Sequence, residues 1–137
     1  MKRPHVAFGV ALLTLLIAGC GNKYSGEYTA DVRPIEGAEL STKPGYTLEE
    51  LHDKVAAENR RLVVKPGGRF VWHTGGLVNE GTWRVEGDAF ILREDTYNGT
   101  SITPGLQKDR TWTIGADGEI ITGSYEEHGL EECYVKQ

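Results

Sequence analysis

A chain of 137 residues has room for one ordinary domain with a single hydrophobic core. Twenty acidic residues against fifteen basic ones, a formal charge of −5 at pH 7, exclude the electrostatic footprint of a nucleic-acid binder or of a protein drawn to anionic head groups. With only two cysteines, a disulfide-stapled scaffold is excluded as well.

The chain begins with Lys2 and Arg3, followed by an apolar run from Val6 to Ala18 interrupted only by Gly9 and Thr14, and then by small residues before Cys20. A positive start, a short apolar run and small residues at a cleavage point are the marks of a signal peptide. The run is too short for a permanent spanning helix, which needs about 20 residues. The tetrapeptide Ile17-Ala18-Gly19-Cys20 resembles the lipobox of bacterial lipoproteins. That resemblance implies cleavage before Cys20, a diacylglyceryl group on its sulfur, and acylation (typically palmitate) of its new amine. Residues 1–19 are then a removed signal peptide, 20–25 a lipidated cysteine with a short tether, and 26–137 a single domain. Acyl chains anchor strongly, because each buried CH₂ contributes about 0.8 kcal/mol. The expected location is extracytoplasmic, on a membrane through the anchor at Cys20. By the same analogy Gly21, standing where Asp would retain a lipoprotein at the inner membrane, favours the outer membrane of a Gram-negative cell.

The removed segment carries two of the fifteen Lys and Arg and none of the twenty Asp and Glu, so the mature chain stands at −7. Its tether, Gly21 to Ser25, reaches about 17 Å at most when extended, which keeps the domain near the membrane surface. Residues 26–32 alternate and predict a first strand ending near Pro34. A polar loop with Pro34, Gly37, Pro44 and Gly45 follows. Thr47-Leu48-Glu49-Glu50 is a capping box that starts a helix running to about Asn59. Leu48, Leu51, Val55 and Leu62 form a narrow apolar stripe on it, with His52 and Asn59 beside the stripe and Glu50 paired to Lys54. Such a stripe can cover one end or face of something larger.

From Arg61 the period becomes two. Residues 62–65 turn at Pro66-Gly67-Gly68 into 69–74, then through Gly75-Gly76 into 80–86, then through Gly87-Asp88 into 89–93. A looser segment with Asn98-Gly99 and Pro104-Gly105 precedes a strand at 110–114. Ala116-Asp117-Gly118 leads into 119–125, and His128-Gly129 into a last strand ending at Val135. Short strands joined by glycine turns predict a mainly β domain with one helix, an antiparallel meander closing into a small up-and-down barrel of about eight strands. Parity sends Tyr28, Phe70, Trp72, Trp83, Val85, Phe90, Leu92, Trp112 and Ile114 inward. It sends Arg69, His73, Thr82, Arg84, Arg93, Thr111 and Thr113 outward. Leu62-x-Val64-x-Pro66-Gly67-Gly68-x-Phe70, followed by Gly81-Thr82-Trp83-x-Val85-x-Gly87-Asp88-x-x-x-Leu92, resembles the strand grammar of lipocalin-like bacterial lipoproteins, including the N-terminal domain of copper-resistance envelope lipoproteins. The Cys-x-x-Cys of the latter is absent, so the resemblance implies architecture only.

Chemistry-bearing motifs are sparse. No HExxH, G-x-S-x-G, Cys-x-x-Cys or phosphate-cradling loop occurs. Glu126-Glu127-His128 and Glu131-Glu132-Cys133 bring acids, an imidazole and a thiol to one acidic hairpin, read as a solvated surface turn whose two glutamates at 126 and 127 face opposite sides of a strand. Cys133, alone once Cys20 is acylated, is read as a small buried hydrophobe. The expectation is a monomeric, non-enzymatic binding or interaction module of the cell envelope. It has no catalytic residue, no cofactor and no metal, and its partner is an envelope protein or a small ligand. The alternatives are an inhibitor of an envelope enzyme and a metal-handling protein using His128 with nearby acids. If Cys20 accepts the lipid, Cys20→Ser should remain unprocessed and leave the detergent phase on partitioning. Unchanged acyl labelling and processing would refute the anchor.

Overall fold

The computed structural model describes residues 23–137; the signal segment, Cys20 and Gly21 lie outside the described residues. Nine strands and one helix follow in order: β1 (Gly26–Pro34), α1 (Leu48–Ala57), β2 (Arg61–Val64), β3 (Arg69–Thr74), β4 (Leu77–Glu86), β5 (Ala89–Tyr97), β6 (Thr100–Ser101), β7 (Asp109–Ile114), β8 (Ile120–Ile121) and β9 (Leu130–Lys136). All pairings are antiparallel. β1 through β5 pair in sequence, β5 pairs with β7, β7 with β8, β8 with β9, and β9 returns to β1. Eight strands therefore close a lipocalin-like small barrel, with β6 as one extra strand hairpinned onto the end of β5. Closure removes the sheet edges that an eight-stranded meander would otherwise expose.

Period-two alternation fills the interior. Tyr28, Leu62, Val64, Phe70, Phe90, Leu92, Trp112, Ile120 and Tyr134 form the buried core, with Trp72, Trp83, Val85 and Ile114 partly buried against it. An eight-stranded barrel is just wide enough to be filled by side chains. Trp83 stacks on Phe90 at 5.5 Å and donates its indole N–H to the Lys65 carbonyl at 2.9 Å. At Glu80–Gly81 the register with β5 shifts, and Gly81 is buried there because a Cβ would meet the backbone of Arg93 and Glu94. Only glycine permits that approach, and the bulge bends β4 toward closure.

Helix α1 begins with the Thr47 half of its capping box, while Glu50 reaches two residues upstream of the Thr47 N–H. The Thr47 hydroxyl accepts from the Glu50 N–H at 3.3 Å, and the Glu50 carboxylate accepts from the Gly45 N–H at 2.6 Å. Leu51 and Val55 pack on Val32 and Leu130 in a second core, with Leu48 and Tyr125 at its margin. The helix thus covers the β1–β9 side of one barrel end. Leu62 does not continue its stripe: the chain leaves the helix after Ala57, Asn59 takes a φ of +47°, and Leu62 enters the barrel core on β2.

The expected strand over 119–125 shrinks to Ile120–Ile121, because residues 122–129 turn away into a 3₁₀ turn at Glu126–His128. Glu126 and Glu127 consequently sit on that turn, not on two faces of a strand. Nor is the acidic end uniformly solvated. β9 pairs with β1, which carries Arg33 and whose Ala30 N–H donates to the Arg60 carbonyl just ahead of β2, so both arginines come within reach of β9. Arg33 then holds Glu131 at 2.5 Å and Glu119 at 3.2 Å, while the buried Glu132 pairs with Arg60.

These packing assignments predict a graded series in denaturant midpoints. Phe90→Ala, at a fully buried position, should cost about 3–5 kcal/mol. Trp83→Ala, only partly buried, should cost about 2–3 kcal/mol, and exposed Thr82→Ala under about 1 kcal/mol. Equal losses at Trp83 and Thr82 would mean that the register is wrong.

Candidate functional site

The two barrel ends differ. Because Gly26 pairs with Val64, the chain enters at the end that carries the turns 65–68, 87–88 and 115–119 and the C-terminus. This proximal end is tight. The distal end carries the 35–47 loop, α1, the 98–108 connection and the 122–129 segment. Leu40, Tyr46, Leu77, Tyr97 and Leu106 are exposed large apolar residues, and every one lies at the distal end; among the described residues only Val135 of this kind lies elsewhere.

On the distal side of the core the interior turns polar. Trp72 donates its indole N–H to the Tyr134 hydroxyl at 2.6 Å and meets Trp112 edge-on at 5.2 Å, while Trp112 stacks on Tyr134 at 5.6 Å. The Arg110 guanidinium lies over the Trp72 ring at 5.0 Å and reaches the Glu94 carboxylate at 3.2 Å. Asn79, opposite Trp72 in register, is buried with its Oδ1 unpaired by the protein, as is Thr74 Oγ1. Buried acceptors of this kind call for a donor from water or ligand. Where the 102–108 connection passes the rim, Glu94, Ile102, Leu106, Gln107, Lys108, Asp109 and Arg110 line a cleft of about 300 Å³.

Outside the barrel, Asp109 accepts from Arg84 at 3.0 Å and Arg93 at 2.8 Å, and those two guanidinium groups hold its carboxyl below the usual range. Asp95 is similarly held down by its hydrogen-bonded Arg69. The groups that the sequence singled out do not converge. His128 stacks on Tyr46 at 4.2 Å and lies 3.3 Å from Glu127. His52 bonds the Val32 carbonyl beside Asp31. His73 sits outward on β3 with its pKa lowered by burial and by Arg61. Among the described residues no three of His, Cys, Asp and Glu are placed to hold a metal ion. Cys133 is buried, with burial pushing its thiol pKa up against the partial offset of Arg33. A thiol so placed is a poor nucleophile.

The cleft residues escaped the period-two reading because the 94–108 segment has no periodicity. One signal was available: Arg110 lies two residues before inward Trp112, so it shares that face. Comparison of the chain with protein-family models, with curated proteins and with solved structures gives no match.

The Tyr134 hydroxyl generates a pH prediction. Burial, with the Glu132 charge adding, pushes its pKa well above the tyrosine range, despite the hydrogen bond from Trp72 and the charge of Arg60. In the unfolded chain it ionises near pH 10, roughly the model-peptide value. A folded-state pKa above the unfolded one contributes stability that is complete below about pH 10 and is lost as pH rises further. Denaturant midpoints should therefore fall above about pH 10, and less steeply in Tyr134→Phe. That variant should also cost about 1–3 kcal/mol at neutral pH by orphaning the Trp72 N–H. An unchanged alkaline slope would place the hydroxyl in water.

Proposed function

We propose that the protein is a lipid-anchored, non-enzymatic binding or interaction module of the cell envelope that engages its ligand or partner through the distal barrel end. The carrying observation is the gathering of Leu40, Tyr46, Leu77, Tyr97 and Leu106 at that end. Apolar side chains clustered at one end of a domain, rimmed by charge, mark interaction surfaces. The chain enters at the opposite end, so a lipid on Cys20 directs the tight turns toward the membrane and the long loops away from it. The short tether limits how far that presentation can tumble. Acidic charge helps the domain stand off an anionic bilayer while its distal loops remain free for a partner.

Photo-crosslinking residues at Leu77, Tyr97 and Leu106, compared with Lys65 and Asp88 at the proximal turns, test the reading in intact cells. Discrete adducts should form from the distal positions, and Leu106→Glu with Tyr97→Glu should abolish those formed at Leu77. Adducts from the proximal turns alone would contradict the proposed orientation.

A further inference from the structure

We infer that the outer surface of the distal roof, made by residues 35–57 and 122–129, docks the basic face of a partner protein; this rests on the distal end being the binding end. The two segments form one surface. The Ser41 N–H donates to the His128 carbonyl at 3.0 Å, the Ile35 N–H to the Gly129 carbonyl at 2.9 Å, and Tyr46 stacks on His128 at 4.2 Å. Gly129 permits that seam, since a Cβ there would meet the Glu39 carbonyl. Helix α1 turns Leu51 and Val55 down onto Val32 and Leu130, which leaves Glu49, Asp53 and Lys54 exposed on its other face.

Charge is sorted across the molecule. All seven arginines among the described residues are ion-paired, and together they hold nine of the twenty acids. None of the seven lies in the roof segments. Glu36, Glu39, Glu49, Glu50 and Asp53 on the loop and helix, with Glu126 and Glu127 on the 3₁₀ turn, have no lysine or arginine partner among the described residues; Glu127 meets only His128. Lys43 and Lys54 alone stand against them, so the roof holds five of the seven net negative charges of residues 20–137. Part of this charge has a reason inside the fold. Glu49 and Glu50 lie in the first turn of α1, where the helix dipole favours acids, and Glu50 also accepts from the Gly45 N–H. Asp53, one turn beyond Glu49, and the adjacent Glu126 and Glu127 have no such reason, and like charges at helical spacing repel. A cationic partner removes that repulsion.

The apolar part of the same surface decides what kind of cation fits. Leu40 and Tyr46 stand within the acidic field, 45% and 37% exposed. Tyr46 is already fixed by His128 and lies under the Lys43 ammonium at 5.1 Å, so little side-chain freedom is lost when it is covered. A metal ion is a poor match, because no three of these groups converge among the described residues. A small polyamine would leave Leu40 and Tyr46 in water. A protein face can answer both features, with lysines and arginines for the acidic rim and an apolar side chain for the centre.

Photo-crosslinking residues at Leu40 and Tyr46 in intact cells, beside those at Leu77 and Tyr97, locate the contact. The protein captured at Leu40 and Tyr46 is identified by mass spectrometry, purified, and titrated with the full-length chain and with the variant Asp53→Asn/Glu126→Gln/Glu127→Gln. It should carry net positive charge at pH 7, and its affinity should fall at least about tenfold in the triple variant. Raising salt from about 50 to 300 mM should weaken the unaltered pair about tenfold and the triple variant much less. Asp88→Asn at the proximal turn should bind as the unaltered chain does. The melting temperature of the triple variant should not fall, which separates lost charge from lost fold. Adducts from Leu77 and Tyr97 with none from Leu40 and Tyr46 would overturn the roof as the docking face while leaving the distal end as the binding end. A captured protein of neutral or acidic charge, or full affinity in the triple variant, would overturn the basic partner. Adducts from no distal position would overturn both readings.

Discussion

Seven residue pairs between β1 and β9, from Tyr28 with Lys136 to Pro34 with Leu130, turn a meander into a barrel, and the rest of the molecule depends on that ladder. It joins segments about a hundred residues apart, so it carries a loop-closure cost of about 4 kcal/mol on the logarithmic scale. What offsets that cost is what the ladder buries: Tyr28, Val32, Leu130 and Tyr134 all lie on the two paired strands and are almost wholly removed from water. Without the pairing, β1 and β9 would be long edge strands, with no disulfide among the described residues to hold them. Glu132 shows how closely the ladder is tied to its surroundings, since its buried carboxylate is compensated by Arg60 and by the Thr122 hydroxyl at 3.2 Å.

Closure also sorts the connections. An up-and-down barrel places alternate turns at alternate ends, and this chain puts all its long connections at the end opposite its entry, beside the short 75–76 turn. Stability and function are thereby separated along one axis. Proximally, Trp83 on Phe90 and the Val64, Val85 and Ile114 side chains fill the barrel. Distally, α1 roofs only the β1–β9 side, and the opposite side is left to Arg110, Glu94 and the connection that carries Leu106. Trp72 joins the two regions, donating to the Tyr134 hydroxyl within the core and carrying the Arg110 guanidinium over its ring.

The barrel was legible in the sequence because its rule is local. Parity needs only neighbours two apart, and a glycine turn needs only its own residues, so Trp83, Phe90 and Trp112 could be turned inward without knowing what they meet. The capping box was legible for the same reason. Legibility failed where long-range contacts decide. Leu62 fits a helical stripe by spacing, yet Asn59 in a left-handed conformation ends the helix and pairing with Trp72 claims Leu62 for β2. Glu119, Glu131 and Glu132 look like a solvated run until Arg33 and Arg60 arrive from the far end of the chain. The distal cleft was invisible because its residues come from a strand end, a 3₁₀ turn and a loop with no common period.

Native-state hydrogen exchange along β9 tests the closed barrel most directly. If β1 and β9 form one continuous ladder, the amides of Leu130–Lys136 that face β1 should be as protected as those at the centre of the β4–β5 pairing, and should exchange only with global opening. Exchange of those amides at rates typical of an exposed edge strand, with β4 and β5 still protected, would contradict closure and with it the separation of the two ends.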